Sequence, residues 1–179
     1  MFYFSLGILI LTEGAFLYWQ RRSFRFQVSG FMFHVSWIVI FGLLFFQSWQ
    51  QYQVWSQNEL SKFLLPPYQP IAYFLGYSFT HFFKNYLISL VIALLFLSAA
   101  VFLNKKFPEK FFEKEEPYLG AIAIFLVGHP LWIYYLIAIL IIGLFGTLFF
   151  QFKWRARFPF YHFWLPLAIS VLIIGKVLI

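Results

Sequence analysis

Neither cysteine nor aspartate occurs anywhere in these 179 residues, and only 11% of the chain is charged. The missing thiols exclude disulfides, thiolate metal sites and cysteine nucleophiles. The missing aspartate leaves glutamate, in six copies, as the only carboxylate side chain. No Gly-rich phosphate loop, serine-hydrolase elbow or HExxH stretch is present. His34, His81, His129 and His162 are scattered without metal-ligand spacing, so neither a metal nor a cofactor is expected.

What is abundant is apolar surface: 63% of the residues are hydrophobic and 26% aromatic, a composition that cannot be arranged as a soluble domain. The chain therefore reads as an all-α, polytopic membrane protein, a single domain in a lipid bilayer. Apolar runs predict six transmembrane helices, near 3–19, 31–47, 86–103, 118–127, 131–150 and 160–178, the fourth being short. Between the second and third lies an outer linker, 48–85, opening with the polar WQQYQVWSQNE and interrupted by Pro66, Pro67 and Pro70. Its segment 71–83 is apolar and aromatic, and is expected in the membrane interface or as an outward extension of the third helix.

The net charge of +7 is informative through its distribution. Arg21, Arg22 and Arg25 follow the first run, Lys105, Lys106, Lys110 and Lys114 the third, and Lys153, Arg155 and Arg157 the fifth, whereas the alternate loops hold only Lys62 and Lys84. Short cytoplasmic loops retain basic residues, so the basic loops are expected inside and both termini outside. The positive charge thus speaks of membrane orientation and not of nucleic acid. With no basic residue before it and a cluster after it, the first run reads as an uncleaved anchor.

Two polar features stand out against this background. Glu113, Glu115 and Glu116 crowd the lip of the short fourth helix, ahead of Pro117. Carboxylates in a first helical turn favour the helix dipole, and proline suits that position, so Glu113 and Glu115 read as capping residues. A helix of about ten residues rises only about 15 Å. It must therefore start below the surface, which places Glu116 where membrane acids and proton relays are built. Glu13, inside the first helix, is a candidate intramembrane polar site, costly there unless it faces the bundle or a partner. Gly143 and Gly146, with Thr147, form a small-residue face suited to close helix packing.

The order EEPYLGAIAIFLVGHP, IAILIIGLFGTLFF, KWRARFPFYHFWLPLAI resembles the type IV prepilin and preflagellin peptidases, six-helix intramembrane aspartyl proteases. QRRSFRFQVSG, after the first helix, resembles that family's segment opening its second helix. The resemblance implies a prokaryotic cytoplasmic membrane and a role near type IV pili. It also implies two catalytic carboxyls, at the positions of Gln20 and Glu116. Tyr118 stands where the family has a motif lysine, Gln27 where it has proline, and Tyr161 and His162 where it has Gly-Pro. An aspartyl protease needs two carboxyl groups that share a proton, and Gln20 does not ionise. The expectation is a proteolytically inactive relative, a pseudoenzyme that binds a prepilin-like or other transmembrane peptide. Two alternatives stay open: an acid protease using Glu116 with a non-standard partner, and a small transporter or membrane-complex subunit relying on Glu13.

Overall fold

A computed structural model describes residues 2–19, 25–107, 112–154 and 160–178, with backbone alone for 16, 19, 25–29, 154, 161 and 178. The described residues are helical almost throughout: α1 (Phe2–Trp19), α2 (Arg25–Gln57), α3 (Ile71–Ser78), α4 (Lys84–Lys106), α5 (Glu116–Val127), α6 (Trp132–Trp154) and α7 (Trp164–Leu178). A π-helical turn, Phe79–Phe83, joins α3 to α4 into one continuous rod.

The expectation of six transmembrane helices is corrected by the lengths of these elements. Among the described residues, three helices are long and apolar enough to cross a membrane, over Gly30–Gln57, Ile71–Lys106 and Trp132–Lys153. The other apolar helices, Phe2–Ala15, Glu116–Val127 and Trp164–Val177, are shorter. The chain is thus a polytopic, all-helical membrane protein, with three such spans among the described residues. Hydropathy misleads here because a helix apolar on every side can face either lipid or a protein core.

α5 shows the second case. Eleven of its twelve residues are buried, and α1, α2, α4, α6 and α7 all pack against it. Its twelve residues rise only about 18 Å, well short of about 30 Å of hydrocarbon. Small side chains let the neighbours approach: Gly120, Ala121 and Ala123 on α5 face a bundle in which α4 contributes Ser89, Ala93 and Ala100 as its buried residues. Such small-residue contacts replace the hydrophobic drive that water would supply. α2 offers Phe33, Ser36, Ile40 and Leu44 at helical spacing, and α1 offers Ser5, Leu9 and Thr12. The hydroxyls of Thr12, Ser36 and Ser89 donate to carbonyls one turn back, Ile8, Met32 and Asn85, at 2.7, 2.7 and 2.9 Å, so these buried donors are satisfied.

α6 is the least enclosed of the long helices. Ile137, Leu140, Leu144, Phe145, Leu148 and Phe152 are exposed along it. It is tied to α7 by the buried Tyr135 hydroxyl, which donates to the Trp164 carbonyl at 3.1 Å. Gly143 receives the Phe160 ring, which would lie 2.5 Å from a Cβ there. The small-residue face predicted on this helix therefore admits an aromatic side chain from the turn before α7. Thr147 donates its hydroxyl to the Gly143 carbonyl.

α2 runs to Gln57, ten residues past the predicted end. No proline or glycine stops it there, and Trp55 of that extension packs edge-on against Phe74 of α3, with ring centroids 5.5 Å apart. Leu65 completes this second, smaller core. Residues 48–57 and 71–83 are therefore two arms of a helical hairpin: the first replaces an expected linker with helix, and the second is the outward extension of the next span.

Helix directions define the two ends of the bundle. Ser5 and Tyr86 share a hydrogen bond of 3.3 Å, so the start of α1 lies beside the start of α4. Leu131 fills the space over Gly175, its Cδ1 2.6 Å from a would-be Cβ. The end of α7 thus meets the α5–α6 turn. Lys105, Lys106 and Lys153 mark the opposite end, where α5 and α7 begin.

Candidate functional site

Glu116 opens α5 at this basic end, and its depth follows from its neighbours. A Cβ on Gly120 would sit 2.5 Å from Phe96 Cε1, which puts Gly120 level with Phe96. Phe96 lies ten residues before Lys106, about 15 Å along α4. Glu116, one turn back toward the surface, is then about 9 Å below the end of α4. Its side chain is 2% exposed.

A buried carboxylate needs hydrogen-bond donors. The Glu113 N–H donates to Glu116 Oε2 at 2.9 Å, and the Glu116 N–H donates back to the Glu113 carbonyl at 3.3 Å. The two bonds close the turn Glu113–Glu116 that leads into α5, the carboxylate reaching back three residues as the glutamate of a capping box does. The sequence assigned capping to Glu113 and Glu115. Glu115 at the N-cap makes no side-chain capping bond, and Pro117 sits in the first turn. The acid singled out as chemically suspicious is the one that closes the turn.

The segment before α5 forms a strap across the bundle end. The Phe112 N–H donates to Asn104 Oδ1 of α4 at 3.3 Å, and the Phe112 ring turns inward. It meets Phe96 and Trp164 at centroid separations of 6.1 and 6.3 Å. Trp164 also packs against Phe96 at 5.5 Å and edge-on against Phe160 at 5.2 Å. Gly120 makes room for this cluster, since Trp164 Cζ3 lies 2.8 Å from where its Cβ would be. Residues four apart share a helix face, so the cluster lies directly beneath Glu116. Trp164 is 2% exposed, and its indole N–H has no acceptor among the described residues.

The other predicted site residues lie apart from this cluster or outside the described region. Gln20, the expected partner of Glu116, falls outside the described residues. Glu13 is half-buried on α1, one residue after Thr12. Tyr118 lies about 200° around α5 from Glu116 and packs on α2, its Cε1 3.6 Å from a would-be Gly30 Cβ. His129 Nδ1 accepts the Trp132 indole N–H at 3.3 Å beside the α5–α6 turn, at the far end from Glu116.

Phe96, Asn104, Phe112, Gly120 and Trp164 escaped the sequence reading. The i, i+4 spacing of Glu116 and Gly120 was visible there, but the residues that fill the gap come from three different segments. Comparison with known protein families, with curated proteins and with solved structures finds no match to this chain.

Proposed function

We propose that this protein is a prepilin-peptidase-like membrane protein that does not cleave peptides and instead holds a prepilin-like or other transmembrane peptide at its basic end. The observation that carries this reading is the use of Glu116: its carboxylate accepts the Glu113 N–H and closes the turn that leads into a core helix. A general base must reach the water it activates. A carboxylate 2% exposed beneath a strap is poorly placed to do so. The absence of aspartate from the chain points the same way, since a proton-sharing pair would have to be built from two of six glutamates. Orientation follows the basic residues, with Lys105, Lys106 and Lys153 on the cytoplasmic side.

The test compares wild type with Glu116→Gln in bilayer nanodiscs, with prepilin-like peptides spanning a transmembrane segment. The expected result is intact peptide with both proteins and saturable binding to the wild type. Cleavage that disappears in Glu116→Gln would establish an acid protease and end the inactive reading.

A further inference from the structure

Glu13 is the one charged residue of α1, and its depth follows from α4. Ser5 and Tyr86 share a hydrogen bond where the two helices start, and from there α1 runs down the bundle against α2, α5 and α7. Glu13 lies eight residues beyond Ser5, about 12 Å further in. Lys106 lies twenty residues beyond Tyr86, about 30 Å along α4. Glu13 is thus about 18 Å short of the level of Lys106, near the middle of the hydrocarbon. Its side chain is half-buried, and no described residue hydrogen-bonds or ion-pairs with it. An acid at that depth is costly unless it pairs with another group or meets water.

The surroundings of Glu13 have the pattern of a helix seam. Tyr3, Leu6, Ile10, Glu13 and Leu17 follow one another at steps of three, four, three and four, which places them on one stripe of α1. Tyr3, Ile10 and Leu17 are exposed, and Leu6 is half-buried. The stripe borders the face that Ser5, Leu9 and Thr12 bury in the bundle. Beside it, Gly7 and Gly14 lie seven apart, and a Cβ built on either meets nothing within 4 Å. A neighbouring backbone can come close on that side. Lipid satisfies the apolar members of the stripe but not the carboxylate.

We propose that this stripe of α1 is the docking face for a separate transmembrane helix that carries a lysine or arginine at mid-depth, and that Glu13 pairs with that cation. Charge complementarity selects the occupant. The thirteen lysines and arginines of this chain lie between the apolar runs or, for Lys176, in the last turn of α7. A second copy would therefore bring no cation to the depth of Glu13. One polar residue in an otherwise apolar seam also fixes the register of the partner, since a cation one turn away would miss the carboxylate. The face is remote from the basic end, so it does not depend on peptide binding there.

The experiment uses the full chain in nanodiscs with labelled, tryptophan-flanked leucine–alanine helices of about 22 residues, long enough to span. Three probes differ only at the central residue, which is lysine, leucine or glutamate. Wild type should bind the lysine helix saturably and the other two about thirtyfold more weakly or worse, the low end of what losing one partner of a buried charge pair costs. Glu13→Gln should lose the preference, and Glu13→Lys should transfer it to the glutamate helix. Gly14→Leu keeps the charge but fills the approach, and should weaken the lysine helix severalfold. Thermal midpoints of Glu13→Gln and Gly14→Leu should match wild type, because neither position has a partner within the chain to lose. Equal affinity of wild type for the lysine and leucine helices, or a preference that survives Glu13→Gln, would overturn the proposal. Energy transfer between two labelled copies that disappears in Gly14→Leu would identify a second copy as the occupant and overturn it as well.

Discussion

Gly120→Leu is expected to destabilise the protein by roughly 3 kcal/mol, the upper end of the overpacking range, and to lower its thermal midpoint in detergent or nanodiscs. The Cβ alone would stand 2.5 Å from Phe96 Cε1 and 2.8 Å from Trp164 Cζ3, and the rest of the side chain has to go further in the same direction. Neither ring can retreat easily. Trp164 is 2% exposed and touches Phe96, Phe112 and Phe160. Gly42 supplies the control: it is exposed on α2, and nothing lies within 4 Å of its would-be Cβ. Gly42→Leu should be neutral, or better by a few tenths to about 1 kcal/mol through helix propensity. Thermal or denaturant unfolding of the two variants beside wild type makes the comparison, and a Gly120→Leu protein as stable as Gly42→Leu would mean that α5 is not confined as described.

Phe125→Ala should cost a little over 2 kcal/mol, and the size of that number depends on the membrane setting. In a soluble core the loss combines a transfer term and a cavity term. Here the unfolded helix would still sit in lipid, so much of the transfer term cancels, while the cavity term survives. Removing a benzyl ring leaves on the order of 100 Å³, which at about 24 cal/mol per Å³ gives roughly 2.4 kcal/mol. The Phe125 ring stacks on Phe41 at 6.4 Å and meets Tyr86 edge-on at 6.1 Å, so it links α5 to both α2 and α4. Phe145, 66% exposed on α6, has lipid as its neighbour, and Phe145→Ala should change stability by less than about 0.5 kcal/mol. Equal effects at the two positions would place both in the same environment and contradict the burial of α5.

Composition alone announced a helical membrane protein, because so few charges leave no other solvent for the chain. The individual segments were harder to read, for definable reasons. In α5 every residue from Leu119 to Val127 is buried, and that pattern looks identical to a lipid-facing run until the neighbours are known. The hairpin arm 48–57 looked like a loop because its glutamines are polar. Yet Tyr52 and Trp55 fall three apart in it, on one side of a helix, and their partner Phe74 lies beyond three prolines. Periodicity reports a face but not what covers it.

The candidate site divides in the same way. EEP before an apolar run signals a helix start, and Glu116 does sit there. Its engagement with the Glu113 N–H is local in sequence and belongs to the helix-start chemistry that EEP signals, while Glu115 makes no side-chain capping bond. The ring cluster around Trp164 was not legible, since an unsatisfied donor is a property of packing between α4, α5, the strap and α7. Nothing in PFYHFWLPL distinguishes Trp164 from a lipid-facing aromatic.

The peptide-binding reading and the stability predictions share one premise: α5 is enclosed by protein, while lipid meets the outer faces of the spanning helices. A photoreactive probe dissolved in the hydrocarbon phase, with labelled residues mapped by mass spectrometry, tests that premise directly. Leu140, Leu144, Phe145 and Leu148 of α6, all exposed, should be labelled, and Ala121–Val127, all buried, should not. Labelling of Ile122, Ile124 or Phe125 at the level of Leu144 would show α5 in contact with lipid and contradict the enclosed core.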